Sequence, residues 1–332
     1  MGVSAVIGAG SWGTTLALLL AGKGLDTSLW VHDTELARLM ESTRANDVYL
    51  PQARLPENLK VSPDLEEVLK GADFVINAVP TQHIREVFSL AAHAIGEKTS
   101  LISASKGIEN GTLKRPSEIL EEIFAGRSAA VLSGPSFARE VIERKPTAVT
   151  LAAKEESEAL RLQELLNTGF FRVYTHEDVT GVELGGALKN VVAIAAGISD
   201  GLGLGNNARA ALITRGLAEM KRLGVSMGAA PQTFSGLSGM GDLVLTCTAA
   251  ISRNHAFGML LAEGLTAAEI TATRRTVAEG ARTSRSVVDL AGKMGVEMPI
   301  SDQVYRVIYE GKSPLKAVRE LMGRSLKNEF AN

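Results

Sequence analysis

The chain predicts an α/β fold: an N-terminal doubly wound sheet followed by an all-α C-terminal domain. Three observations carry this. Through the first half of the 332 residues, short apolar runs alternate with helical patterns. Several runs are continuously apolar, which suits strands buried on both faces of a parallel sheet. After about Tyr174 the strand signals stop and helical patterns alone continue. Repeated βα units wind into a doubly wound sheet. The expected domains are residues 1–180 and 181–332.

The expected strands are Ser4–Gly8, Thr27–His32, Asp73–Val79, Thr99–Ser103, Ala129–Ser133, Ala148–Ala152 and Phe171–Tyr174. Between them helical spacing fits Thr14–Gly22, Thr34–Ser42, Leu65–Leu69, Ile84–Ala94, Pro116–Phe124, Phe137–Glu143 and Glu155–Leu166. The stretch Tyr49–Pro63 carries three prolines and reads as a loop. In the second half, helices fit Val182–Ile198, Asn207–Leu223, Arg253–Ala262, Ala267–Ile270, Thr283–Met294 and Ser301–Tyr309. No repeat or flexible linker separates the halves, so they are expected to pack tightly around a cleft.

Bulk properties exclude several classes. With 45% hydrophobic and 22% charged residues the composition is ordinary for a globular chain. The net charge of −2 gives no basic footprint for nucleic acid. The lone Cys247 cannot form an intramolecular disulfide and argues against a thiolate metal cluster. It sits among apolar residues, where a buried, inert thiol is expected. The five histidines show no metal-ligand spacing, so no metal site is expected. No run reaches the ~18 apolar residues of a membrane span, and the N-terminus lacks the basic region of a signal peptide. A cytoplasmic protein without a transmembrane segment is the expectation. A homodimer is compatible with the chain but not dictated by it.

The sharpest motif is Gly8-Ala9-Gly10-Ser11-Trp12-Gly13, between the first apolar run and the first helical one. In that context G-x-G-x-x-G marks the dinucleotide-binding turn of a Rossmann domain. Gly8 permits the tight turn, Gly10 lets backbone approach a pyrophosphate, and Gly13 lets helix pack on strand. The helix N-terminus adds free N–H groups and a positive dipole end. His32-Asp33 closes the second strand. An acid about 20 residues past the glycines binds the adenosine ribose in NAD enzymes. Asp33 stands at that distance, yet it equally suits the N-cap of the next helix. Arg38 and Arg44 offer charge for a 2′-phosphate instead.

In such a sheet the ligand lies beyond the carboxyl ends of the strands. There the apolar runs end in Asn77-Ala78-Val79-Pro80, Ser105-Lys106-Gly107 and Ser133-Gly134-Pro135-Ser136. Lys106 is suited to meet an anion. In the second half, Gly185 and Gly186 precede Lys189-Asn190 at helical spacing. Two glycines in a helix cost about 1 kcal/mol each relative to alanine. Close approach of another helix or of a substrate would justify that cost; tight packing around a solvated lysine is the alternative. Ser252-Arg253-Asn254 opens a helix with a cap, a forked guanidinium and an amide, a combination suited to phosphate. Gly239-Met240-Gly241-Asp242 is a second glycine-rich entry to a helix, with Asp242 as helix acid or hydroxyl-binding group.

In order, these motifs resemble the bacterial-type NAD(P)-dependent glycerol-3-phosphate dehydrogenases. The resemblance spans Gly8 to Gly13, Tyr49-Leu50-Pro51, Asn77 to Pro80, Ser105 to Gly107, Ser133 to Ala138, Leu188 to Asn190, Gly239 to Leu243, Thr246 to Thr248, Ser252 to Asn254, and Glu279-Gly280. It implies reversible hydride transfer between dihydroxyacetone phosphate and sn-glycerol 3-phosphate, supplying glycerophospholipid synthesis, with NAD or NADP as dissociable cosubstrate. It implies Lys189 as proton donor and acceptor. Substrate contacts are implied at Lys106, Gly134, Ser136, Lys189, Asp242, Ser252, Arg253 and Asn254, and Asn190 is a candidate to orient a hydroxyl. Dinucleotide contacts are implied at Ser11, Trp12, His32, Lys106, Ala138, Arg253, Val277 and Glu279, beside the glycine turn and Asp33. Relatives often carry arginine where this chain has His32-Asp33, so coenzyme preference stays open. A dehydrogenase for another acid or sugar phosphate, and a non-catalytic dinucleotide sensor, are the alternatives.

Overall fold

The structure, a computed structural model, describes residues 2–273, 278–326, 328 and 329. Among them eight strands form one sheet: β1 (Val3–Ile7), β2 (Asp26–Trp30), β3 (Leu59–Ser62), β4 (Phe74–Asn77), β5 (Ser100–Ser103), β6 (Ala130–Ser133), β7 (Thr147–Ala152) and β8 (Phe171–His176). Their order is β3-β2-β1-β4-β5-β6-β7-β8. Every pairing is parallel except β6 with β7, where Leu132 faces Leu151. The strand order reverses beside β1, so the glycine turn after Ile7 sits at the switch point where such sheets bind ligands.

Seven helices connect the strands: α1 (Ser11–Gly22), α2 (Thr34–Thr43), α3 (Leu65–Leu69), α4 (Ile84–Leu90), α5 (Pro116–Ile123), α6 (Ala138–Ile142) and α7 (Glu156–Leu166). One apolar cluster, with Leu16, Leu20, Met40, Leu162 and Phe171, covers one face of the sheet. A second, with Trp30, Ile84, Phe88 and Ile119, covers the other.

The remainder is helical: α8 (Val179–Gly201), α9 (Gly205–Ser226), α10 (Asp242–Thr248), α11 (Arg253–Ala262), α12 (Ala267–Thr273), α13 (Glu279–Met294), α14 (Pro299–Tyr309) and α15 (Pro314–Met322). These wrap α8, which is buried from Gly181 to Ser199 without a break. Their shared core also takes in Ile108, from the loop between β5 and α5. With a mean hydropathy of 1.3, α8 is the one helix among the described residues long and apolar enough to cross a membrane, yet its apolar window is wholly buried in protein. Its apolar run is interrupted by Glu183, Lys189 and Asn190, and it reads as the core helix of the helical half rather than a membrane span.

Three further features depart from the sequence reading. β3 lies inside the stretch read as a loop. It is a four-residue edge strand between Pro56 and Pro63, and a short edge strand tolerates flanking prolines. α15 was not expected, although its apolar residues recur at helical spacing. Finally, β7 runs antiparallel to β6, so β7 and β8 point away from the edge where the other strands end.

α8 and α11 cross with their backbones in contact. A Cβ at Gly197 would overlap the His255 carbonyl oxygen, and one at Gly258 the Ile194 carbonyl oxygen. Backbone cannot yield as a flexible side chain can. Gly197→Ala should therefore lower stability by about 1–3 kcal/mol, the scale of overpacking. Urea unfolding of wild type and variant measures it; equal midpoints would show that the crossing relaxes freely.

Candidate active site

At the switch point, Gly8 adopts φ +113, and a Cβ there would stand 2.8 Å from the Ala78 carbonyl oxygen. A Cβ at Gly13 would overlap the Gly8 carbonyl oxygen, so α1 lies hard on β1. Around Gly10 nothing stands within 4 Å of where a Cβ would be. The turn is closed on the protein side and open on the other. α1 starts at Ser11, and the Thr14 N–H is the first to find the intrahelical acceptor, the Gly10 carbonyl at 3.0 Å. The earlier N–H groups lack intrahelical acceptors and carry the positive dipole end. The Trp12 indole N–H is buried and lacks a partner. An open cradle, N–H donors and an orphaned donor fit a dinucleotide pyrophosphate.

A clamp holds this turn that the sequence did not reveal. Asn46 Nδ2 donates to the Ala9 carbonyl at 2.9 Å and to Thr14 Oγ1 at 2.8 Å. Ser11 Oγ donates to the Tyr49 carbonyl at 2.5 Å. Asp33 caps α2 by accepting from the Leu36 N–H at 3.0 Å, and His32 lies exposed, edge-on to Trp30. Arg44 is not free for a phosphate. Its guanidinium donates to the carbonyls of Leu55, Pro56 and Leu59. Arg38 pairs with Glu35 on the exposed face of α2.

The strand ends supply the next residues. Asn77 is buried and turned inward: its Oδ1 accepts from the Val79 N–H, and its Nδ2 reaches Ser103. It shapes the edge rather than facing a ligand. Lys106 extends from the end of β5 and donates to the Gly134 carbonyl at 3.2 Å and to Asp242 Oδ2 at 2.7 Å. Ser136 turns back onto the Gly134 carbonyl at 3.0 Å, and Ala138 opens α6 two residues on.

Here the sheet meets α8. A Cβ at Gly186 would overlap Ser133 Oγ and press on the Lys106 stem; at Gly185 it would stand 2.6 Å from the Ser238 carbonyl oxygen. The bare patch on α8 thus admits the end of β6 on one side and the 237–241 turn on the other. Both approaches bring charge to Lys189. Its Nζ donates to Asp242 Oδ1 at 2.5 Å and to Thr246 Oγ1 at 2.8 Å. One carboxylate therefore holds two lysines, one from each half of the chain. Thr246 was missed by the sequence reading, although it follows Asp242 by four residues on α10 and so shares its face. Burial pushes the Lys189 ammonium down from 10.5 to about 8; Asp242 pulls it back up and Lys106 adds to the lowering.

On the far side of α8, Asn254 Nδ2 donates to Asn190 Oδ1 at 2.9 Å, and Asn254 Oδ1 accepts from the Gly280 N–H at 3.0 Å. Ser252 caps α11. Arg253 is exposed and makes no hydrogen bond to another described residue; its charge acts on Glu279. Burial pushes the Glu279 carboxyl up, against the pull of Arg253, Lys106 and Lys189. Two lysines, an arginine, two carboxylates and two amides thus converge where the strand ends face α8, α11 and α13. Cys247 is fully buried beside them, and burial pushes its thiol up to about 12, an inert setting. Among the described residues no group of His, Cys, Asp and Glu could hold a metal ion.

The family model described as NAD-dependent glycerol-3-phosphate dehydrogenase N-terminus matches residues 4–159, and the corresponding C-terminus model matches residues 178–319. The chain belongs to the NAD-dependent glycerol-3-phosphate dehydrogenase family. It is 55% identical over 328 residues to a glycerol-3-phosphate dehydrogenase (NAD(P)+) of Citrifermentans bemidjiense, with 98% of each chain covered. It is 48% identical to the protein of that name from Streptomyces avermitilis, again over 98% of each. A crystal structure of glycerol-3-phosphate dehydrogenase from Coxiella burnetii matches with a TM-score of 0.94 at 43% identity, covering 97% of this chain and 99% of that one. Members of this family use NAD(P) as cosubstrate, which the open glycine cradle can accommodate.

Of the residues singled out from sequence, Lys106, Gly134, Ser136, Lys189, Asn190, Asp242, Asn254 and Glu279 converge through the contacts above. Gly8, Gly10, Ser11, Trp12 and Gly13 form the open turn at the switch point. Val277 lies outside the described residues.

The depressed Lys189 value ties stability to pH. Below about 8 the ammonium is charged in both states, and the folded state bears its burial. Between about 8 and 10.5 the unfolded chain keeps a proton the folded chain has lost, so stability rises with pH. Relative to Lys189→Met, wild type should gain about 3 kcal/mol over that range. Denaturation of both proteins at pH 7.5 and 10.5 tests it; a constant difference would mean that Lys189 titrates normally.

Proposed function

We propose that Lys189 is the proton donor and acceptor in reversible reduction of dihydroxyacetone phosphate to sn-glycerol 3-phosphate. The observation that carries this reading is the Lys189 ammonium itself, buried, poised near 8, and held by Asp242 where the strand ends meet α8. NAD(P), once bound, supplies the hydride that reaches C2 of the ketone.

This chain's residues do the rest. Reduction leaves negative charge on the C2 oxygen. The protonated Lys189 stabilises that charge and gives up its proton; in the reverse direction neutral Lys189 takes the proton from the alcohol. An acid–base group works best with a pKa near the operating pH. Asp242 and Thr246 fix the Nζ, and Lys106 keeps its affinity for a proton down. Arg253, exposed at the start of α11 beside Ser252 and Asn254, is proposed to bind the phosphate with Lys106. Gly134 and Ser136 would line the substrate, and Asn190 would orient a hydroxyl. Ser11, Trp12, His32, Asp33, Ala138, Val277 and Glu279 remain proposed dinucleotide contacts.

We keep 1–180 as the dinucleotide-binding unit and 181–332 as the substrate-binding and catalytic unit. The reading extends to a cytoplasmic homodimer. A buried free thiol suits a reducing compartment, and the exposed Leu204, which precedes α9, and Val225, in its last turn, offer apolar surface to a second copy.

Lys189→Met should lower turnover by more than ~10²-fold, the range for loss of an acid–base group, with NADH affinity near wild type. In wild type, kcat/KM for reduction should fall as pH rises through about 8 as the acid is lost. For oxidation it should rise through the same pH. Arg253→Ala should chiefly raise KM for dihydroxyacetone phosphate. Steady-state NADH and NADPH oxidation reads all of these; brisk turnover by Lys189→Met would sink the assignment.

A further inference from the structure

The loop 104–115 leaves β5 for α5, yet it is built into the helical half. Its Ile108 side chain belongs to the core around α8. The Ile108 carbonyl accepts from Ser286 Oγ of α13 at 2.9 Å and from Gln82 Nε2 at 2.8 Å. One end carries Lys106, bound to Asp242. The other end is Arg115, which is buried and donates to Glu183 Oε2 at 2.8 Å. Glu183 also accepts from the Ser117 N–H at 2.8 Å and from Ser117 Oγ at 2.6 Å. It therefore occupies the N-terminus of α5, where a carboxylate is favoured. Glu183 is itself buried, and it lies on α8 six residues before Lys189.

We propose that Glu183 is a positioning residue for proton transfer, which through Arg115 and Ser117 fixes both the 106–115 strap and the roll of α8 so that Lys106 and Lys189 meet on one carboxylate. One end of the strap is then tied to α8 directly, through Glu183, and the other through Asp242 of α10, which also holds Lys189. Burial favours this division of labour. A carboxylate paired with a guanidinium and bonded to a helix terminus has a narrow set of acceptable geometries. Apolar residues of similar volume would fill the space but fix no register. The inference rests on the role proposed for Lys189.

The test compares wild type with Glu183→Gln and with the apolar double variant Arg115→Met/Glu183→Leu. Glu183→Gln retains an acceptor for Ser117 but loses one of the two carboxylate charges on Arg115, the other being Glu118 at 3.0 Å on α5 itself, and with it the charged tie from Arg115 to α8. It should lower kcat on the order of tenfold or more, as small misplacements of reacting groups do, while the Kd for NADH stays within about twofold. The double variant leaves the Ser117 donors without their acceptor and should have a lowered Tm, and at a temperature where it is fully folded it should show the same loss in kcat. Wild-type kcat in either variant would overturn the proposal, since packing alone would then suffice. If the double variant does not fold, Glu183→Gln with a native Tm decides alone. Lys189→Met, assayed alongside, separates the two readings: its activity bears on the acid–base role, and that of Glu183→Gln bears only on positioning.

Discussion

A helix buried on every side can carry a charge only if another element brings the counter-charge to it. α8 imposes that condition on the whole molecule. An ammonium left alone in such a core is too costly to persist, and it would release its proton. Asp242 answers it from α10 and answers Lys106 with its other oxygen. For Asp242 to arrive, the 237–241 turn must press against α8, and Gly185 leaves room for it. For Lys106 to arrive, the end of β6 must also press in, and Gly186 leaves room for that. Neutralising this one buried lysine thus depends on how the sheet and the helices around α8 pack.

The same arrangement suits the acid–base role proposed for Lys189. Its proton affinity is a balance between burial and Lys106 on one side and Asp242 on the other. With Asp242 alone, the ammonium would be held too firmly to act as an acid near neutral pH. With burial alone, it would be neutral and unable to polarise a carbonyl. The intermediate value reflects burial together with these charges, and Asp242 and Lys106 reach Lys189 only through the fold.

Legibility from sequence followed the range of the interactions. The glycine turn was legible because its three glycines act within six residues. The paired glycines before Lys189 were legible as a bare helix face, but what filled the space was not, since Ser133 and Ser238 are distant in sequence. Asp242 stood out as a helix acid; its grip on two lysines did not. Residues whose role is to hold loops were misread. Asn77 and Arg44 look like ligands because they are polar at a promising edge, yet Arg44 is spent on backbone carbonyls and Asn77 on the Val79 N–H and the Ser103 hydroxyl. β3 was hidden by flanking prolines, whereas α8 was legible as the helical pattern Val182–Ile198. Antiparallel β7 could not have been foreseen, because connection direction depends on where β6 and β7 meet rather than on either sequence.

The insertion of Ile108 into the helical core bears on how the protein is made. Every strand of the sheet leaves the ribosome before α8 does, and Ser286 follows about a hundred residues after α8 begins. Until then the strap has no core to enter, and Lys106 has no Asp242 to hold. A nascent chain can complete its sheet, and with it the dinucleotide turn, well before its polar centre assembles. The strap thereby links completion of the polar centre to the arrival of α13, since its contacts span residues 106 to 286.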